Sequence, residues 1–363
     1  MKKQRRSLNE LRNPINPKII SLPSLNKLNR LINEIIIGQE DIVQALTTQI
    51  YKGIFFPDLK KNILLMGKSG TGKTEIVTQL AKNINFHCII EDATNYVDSG
   101  EPGKNFATMI SNFMQHVNGN MQLVSRGIIF IDNVDKVIFD KQQVTNFMGR
   151  SPFYTGVEEL SRIVQGTELV SQISAYFNNE PERKIIKRID TSGITFILCG
   201  DFENTFAARK KRLNKEQIGF GKSNICEKIS NAYRASITKK EQLIKLGFPV
   251  KLANSISCVL ETRELEVEDF EKIIKHSKNS EFLKYKKNIE SLGIELVYSD
   301  NLLVSIVKKA YQNSKSVGEL NLLISYIFEK IMYDILGGKV IGKYNACILG
   351  DEIFNDNTKY CWK

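Results

Sequence analysis

The run Gly67-Lys68-Ser69-Gly70-Thr71-Gly72-Lys73-Thr74 constrains the fold of this 363-residue chain more than any other segment. It follows Asn62-Ile63-Leu64-Leu65-Met66, an apolar stretch of strand length, and precedes a segment in which Ile76, Val77, Leu80 and Ala81 share one helical face. A buried strand, a glycine-rich turn and a helix, in that order, are the setting in which G-x-x-x-x-G-K-T carries chemical meaning. Small residues let successive backbone N–H groups wrap a phosphate, and the helix offers its positive amino end to the same anion. In such a loop Lys73 reaches the β- and γ-phosphates and Thr74 ligates Mg²⁺. The segment therefore predicts a phosphate cradle whose ligands are ATP and Mg²⁺.

Further buried strands are expected at Cys88-Ile89-Ile90, from Gly127 to Ile131, and from Ile194 to Leu198. Helical periodicity links Leu28, Leu31, Ile32 and Ile35, and resumes from Glu40 to about Lys52. Strands alternating with helices predict an α/β fold with a parallel sheet. One of these strands, Ile128-Ile129-Phe130-Ile131, ends in Asp132, well placed to hold the shell of a Mg²⁺ ion. Asn133 follows, where a hydrolytic ATPase of this type needs a carboxylate to polarise the attacking water. An amide cannot accept that proton, and general-base catalysis is worth about 10² to 10⁴ in rate. From about Thr262 charged and apolar residues alternate in helical rhythm, broken by one expected strand at Ile294-Glu295-Leu296-Val297. That pattern predicts a smaller, mostly helical domain.

Residues 1–30 carry eight basic side chains against Glu10 alone, a local charge of +7 out of +11 overall. Such a stretch reads first as a solvated arm, and second as a contact for nucleic acid or an acidic surface. No apolar run follows it, and no stretch approaches the length of a membrane span, so a soluble protein of the cytoplasm or an organellar matrix is expected, without a membrane partner. The six cysteines form no C-x-x-C pair and the three histidines are dispersed, which argues against a zinc site or a disulfide framework.

Four further segments are collinear with motifs of one family. Ile36-Ile37-Gly38-Gln39-Glu40 is similar to its adenine-flanking box, and Ser125-Arg126-Gly127 through Asp132, with Asp135-Lys136, to its Q-R-G-I-V-Y-I-D-E-I-D-K. Asp190 through Ile197 is similar to its sensor-1 strand, and Met332-Tyr333-Asp334 to the M-Y-D of its small domain. From roughly Ile36 to Leu349 the chain thus resembles the ClpX-type unfoldase subunits of the Clp/HslU-like AAA+ proteins. The resemblance implies an AAA+ module with a P-loop NTPase large domain over 33–258 and a small domain over 259–350, preceded by a basic tail (1–32) and followed by a C-terminal tail (351–363). It places Ile37 beside the adenine. It also implies a hexameric ring, made with itself or with an active ClpX-like subunit, and protein substrates. Ile218-Gly219-Phe220 coincides with the loop by which such subunits dock on the ClpP peptidase.

The departures from the family fall on its working parts. Besides Asn133, the arginine finger coincides with Asn254 and the sensor-2 arginine with Gly318. The aromatic pore loop coincides with Gly100-Glu101-Pro102-Gly103, and the Arg-Lys-His of the substrate-entrance loop is only partly kept, as Arg183-Lys184-Ile185. The cysteines offer no counterpart to the family's amino-terminal zinc domain. Retained ATP binding with weak or absent hydrolysis is the expectation, in a regulatory ring subunit of a Clp-type protease. The alternatives are an active but diverged ATP-driven unfoldase and, resting on the basic tail alone, a nucleic-acid-associated AAA+ protein.

Overall fold

The apolar run before the glycine-rich loop forms β1 (Asn62–Met66), and all five of its residues are buried. With β2 (Cys88–Asp92), β3 (Ile128–Asp132), β6 (Thr195–Gly200) and β7 (Ile256–Glu261) it builds a sheet of order β2-β3-β6-β1-β7, in which every pairing is parallel. The three inner strands are almost wholly buried, because helices of a parallel sheet cover both faces and leave no polar side for the sequence to alternate with. The outer strands keep exposure, Ile90 of β2 being 40% accessible. This computed structural model describes residues 22–96, 105–139, 152–175, 183–202, 240–245, 247–338, 340–350 and 360–363.

Between β3 and β6 the chain forms an antiparallel pair, β4 (Glu168–Ala175) with β5 (Arg183–Asp190), in a register running from Glu168 opposite Asp190 to Ala175 opposite Arg183. Arg183-Lys184-Ile185 thus starts β5. The α/β class and the parallel sheet are as expected, whereas this hairpin and β7 are additions that the periodicity did not predict.

The chain divides into two compact units, one comprising the described residues among 1–29, 41–68 and 73–262, the other 30–40, 69–72 and 263–363. This differs from the expected 33–258 and 259–350, since 33–40 and the crest of the loop, 69–72, group with the later residues, and 259–262 with the earlier ones. The first unit has a core in which Leu64, Ile129, Ile131, Phe196 and Leu198 of the sheet meet Phe106, Phe113 and Phe202. Burial of each such side chain contributes about 1.5–3 kcal/mol. Asn62, at the start of β1, donates to the carbonyl of Val164 and accepts from Phe196 N, so the only polar residue of that strand is satisfied inside the core.

The second unit is mostly helical. Helices Glu281–Glu290, Asp300–Asn313 and Val317–Leu336 each begin at a serine whose hydroxyl accepts from a backbone N–H of the first turn, Ser280 from Leu283, Ser299 from Leu302 and Ser316 from Glu319. Phe328 packs between the rings of Phe282 and Tyr285 in its core. The expected strand is β8 (Glu295–Val297), joined by two more: β9 (Ala346–Leu349) parallel to it, and β10 (Tyr360–Trp362) antiparallel to β9. Residues 360–362, expected within a tail, are therefore an edge strand. Among the described residues no helix is long and apolar enough to cross a membrane.

Candidate functional site

Past Met66 the chain turns with φ of +154° at Gly67, +80° at Gly70 and +93° at Gly72. A Cβ on Gly67 would stand 1.9 Å from Thr262 Oγ1, and one on Gly70 would stand 2.2 Å from Ser316 Cβ. Over Gly72 nothing lies within 4 Å. The loop is thus pressed against protein at 67 and 70 and open at 72, the form a backbone cradle for an anion requires.

Lys73 opens the helix Lys73–Asn83 and is buried, with Nζ donating to the carbonyls of Gly67 and Lys68, each at 2.7 Å. Burial pushes its pKa down, against the attraction of Asp201, Asp132 and Asp135. An ammonium held over two carbonyls in this way can exchange them for phosphate oxygens without moving far. Next to it, Thr74 Oγ1 donates to Asp132 Oδ2 at 2.6 Å. A hydroxyl and a carboxylate are hard oxygen donors of the kind Mg²⁺ prefers. The glycine cradle, the lysine and this pair therefore fit a nucleotide phosphate with its metal.

Asn133 has a left-handed backbone, φ +57°, and its N–H donates to Asp132 Oδ1 at 2.8 Å. Its side-chain Nδ2 donates to Asp92 Oδ2 at 2.6 Å. Asp92 ends β2 directly opposite Asp132 in the strand register. Its other oxygen accepts from Thr94 N at 2.9 Å and from Thr94 Oγ1 at 2.5 Å. Burial pushes the Asp92 carboxyl up, but the hydrogen bonds from Thr94 and Asn133 outweigh it and hold the pKa below the ordinary carboxylate value. Asp92 was not among the residues the sequence singled out, since an Asp before Ala-Thr-Asn reads as a strand-ending turn and nothing local points to position 133.

In the second unit Ile37 packs against the core, while the polar anchor of its segment is the buried Gln39, a residue the sequence reading quoted without a role. Gln39 Nε2 donates to the carbonyls of Thr71 at 3.2 Å and Arg263 at 2.8 Å, and Oε1 accepts from Arg263 N. Gly318 is the second residue of helix Val317–Leu336, two positions past the Ser316 that backs Gly70. The crest of the loop and the start of that helix are accordingly neighbours.

Asn254 is exposed on the helix Val250–Ser255 that leads into β7. Because β7 pairs Ile256 with Asn62 and Glu261 with Met66, Asn254 sits at the end of the sheet opposite the loop. Along β1 alone that is about 13 Å. The structure does not bring it to the site within one chain. Ile218, Gly219 and Phe220, and the segment Gly100–Gly103, lie outside the described residues.

The sheet order, the cradle and the Thr74–Asp132 pair define an α/β P-loop NTPase module. The family described as AAA domain (Cdc48 subfamily) matches residues 58–257, more than half of the chain. The chain is 26% identical over 350 residues to the ATP-dependent Clp protease ATP-binding subunit ClpX of Borrelia duttonii, covering 93% of this chain and 80% of that protein. Identity to ClpX of Treponema denticola is 27% over 356 residues, 93% and 83% of the two chains. For ClpX 2 of Wolinella succinogenes it is 26% over 324 residues, 86% and 78%. The chain belongs to the AAA domain family and, within it, is an AAA+ protein of the ClpX type.

Proposed function

We propose that the chain is an ATP-binding subunit of a Clp-type protease or chaperone system that binds Mg²⁺–ATP at Gly67–Thr74, joins a ring and docks on a ClpP-type peptidase, with hydrolysis slowed at Asn133. The observation that carries the nucleotide reading is the Lys73 ammonium seated over the loop carbonyls beside the Thr74–Asp132 pair. When bound, the metal supplies charge neutralisation on the phosphates. Thr74 and Asp132 would hold it, Lys73 would meet the terminal phosphates, and the loop amides would orient them. In such a subunit ATP stabilises an assembled conformation, a linkage effect that needs no rapid turnover.

Ring assembly, with copies of itself or with an active relative, and docking through Ile218 and Phe220 follow from the likeness to ClpX. In this reading Ile218 and Phe220, which flank Gly219 in the sequence, would supply the apolar anchor pair for clefts on the peptidase. Replacing both by Ala is expected to abolish co-purification with ClpP, and unchanged binding would remove the docking assignment. The nucleotide reading is tested by the thermal midpoint. Mg²⁺–ATP at about 100 times its Kd stabilises a native state by about 2.7 kcal/mol, and Lys73→Ala should lose most of the resulting shift. An equal shift in both proteins would place the nucleotide elsewhere. The second reading is an ATP-driven unfoldase that has diverged and substituted its catalytic groups.

A further inference from the structure

Burial pushes the pKa of Lys73 down, and the carboxylate that opposes this most is Asp201, ahead of Asp132 and Asp135. Neither the glycine cradle nor the Thr74–Asp132 pair uses Asp201. Strand register brings it there. Strand β6 is the middle strand of the sheet, with β3 on one side and β1 on the other. Leu198 pairs with Ile131 and Gly200 with Met66, so Asp201 leaves the sheet level with Gly67 and just past the end of β3. Its main chain is fixed independently of its side chain. The Asp201 N–H donates to the carboxylate of Asp135, on the helix Val134–Phe139. Gly200 passes that carboxylate so closely that a Cβ there would stand 2.6 Å from Asp135 Oδ1. Burial, and after it the charge of Asp201, push the Asp135 carboxyl up against these hydrogen bonds. Like charges set near one another cost stability, and one ammonium here faces three carboxylates. The fold alone therefore gives no reason for an acid at 201. The chemistry does, because the amide of Asn133 cannot take a proton and its Nδ2 is committed to Asp92.

We propose that Asp201 is a catalytic residue, the base that takes the proton of the water attacking the terminal phosphate of ATP in a chain whose position 133 holds no carboxylate; this rests on the nucleotide reading above. The water oxygen forms a bond to phosphorus as its proton passes to a carboxylate oxygen of Asp201. The bond from phosphorus to the bridging oxygen of ADP breaks, and its electron pair stays on ADP. The proton then passes from Asp201 to an oxygen of the released phosphate, which restores the base. Turnover is thus slowed at Asn133 but not abolished.

The test uses the full chain in single-turnover hydrolysis at saturating Mg²⁺–ATP. Asp201→Asn keeps the size of the side chain and the main-chain bond to Asp135 while removing the base. It should slow the chemical step about 10²-fold or more, the range of general-base losses. ATP should bind this variant at least as tightly as the unmodified chain, because a negative charge facing the phosphates is gone. Asp201→Glu, which keeps a carboxylate, should retain more of the rate than Asp201→Asn. Should Asp201→Asn fail to fold, Asp201→Ser also removes the carboxylate and should show the same split between rate and binding. A loss of rate equal in the Asn and Glu variants and accompanied by weaker ATP binding would mark a residue that only shapes the strand end, and overturns the inference. So does a rate indifferent to Asp201, or bound ATP that is never hydrolysed, while in both cases the binding reading stands. Failure of ATP to bind the unmodified chain defeats both.

Discussion

A glutamate introduced at position 133 would stand against Asp92, where the native amide now donates at 2.6 Å. Two carboxylates in that range cannot both stay ionised without penalty, and one is driven to hold a proton. Asn133→Glu alone is therefore expected to gain little ATP turnover. Asn133→Glu combined with Asp92→Asn, which restores a donor facing the new carboxylate, should gain about tenfold or more, about 1.4 kcal/mol of transition-state stabilisation. Steady-state hydrolysis of the two variants decides it, and an equal gain in both would mean that the contact does not govern the site. The departure at Asn133 was legible in the sequence because Asp132 and Asp135-Lys136 bracket it. The partner was not, because Asp92 lies 41 residues earlier and is brought opposite only by the pairing of β2 with β3.

At the scale of elements, the start of helix Val267–His276 rests on Asp269, whose two oxygens receive Arg263 Nη1 at 2.7 Å and Nη2 at 2.8 Å, and also the N–H of Glu266 at 2.8 Å. Asp269 is buried while Arg263 is half exposed, so solvent screens the charge and the hydrogen bonds carry more of the effect. Asp269→Ala should cost about 1–3 kcal/mol, the range for a lost cap with buried donors left behind, measured by denaturant unfolding. Burial pushes this carboxyl up, but Arg263 and the Glu266 N–H outweigh it and hold the pKa below its ordinary value. The unfolded chain then takes up the proton first as pH falls, so the contribution is complete at neutral pH and disappears below the ordinary carboxylate range. The acid limb of the stability curve should be shallower in Asp269→Ala. The inner strands were legible because continuous apolar runs mark strands covered on both faces. Strand β7 was not, because its burial is interrupted at Ser257 and Glu261 and the helix Val250–Ser255 runs into it without a glycine or proline between them. Hairpin β4–β5 escaped notice for a related reason, since Glu168-Leu169-Val170-Ser171-Gln172-Ile173 does not sustain a strict two-residue period.

For the whole molecule, the position of Asn254 at the far end of the sheet means that an arginine placed there can act on a nucleotide only if another copy presents it. Asn254→Arg is thus expected to leave ATP affinity unchanged in dilute protein and to alter turnover only at concentrations where sedimentation shows assembly. An effect in the monomer would contradict the placement. A different consequence attaches to the strand order. Strand β1 needs β6 on one side and β7 on the other, and β7 begins at Ile256, nearly two hundred residues after β1. During synthesis at about 5–20 residues per second, the open edge of β1 waits about 10–40 seconds for its last neighbour. Pairing over so long a separation is slow in any case. The nascent chain therefore carries an apolar, unpaired edge through most of its translation, and a fragment ending before Ile256 would keep that edge permanently, ready to pair with other chains.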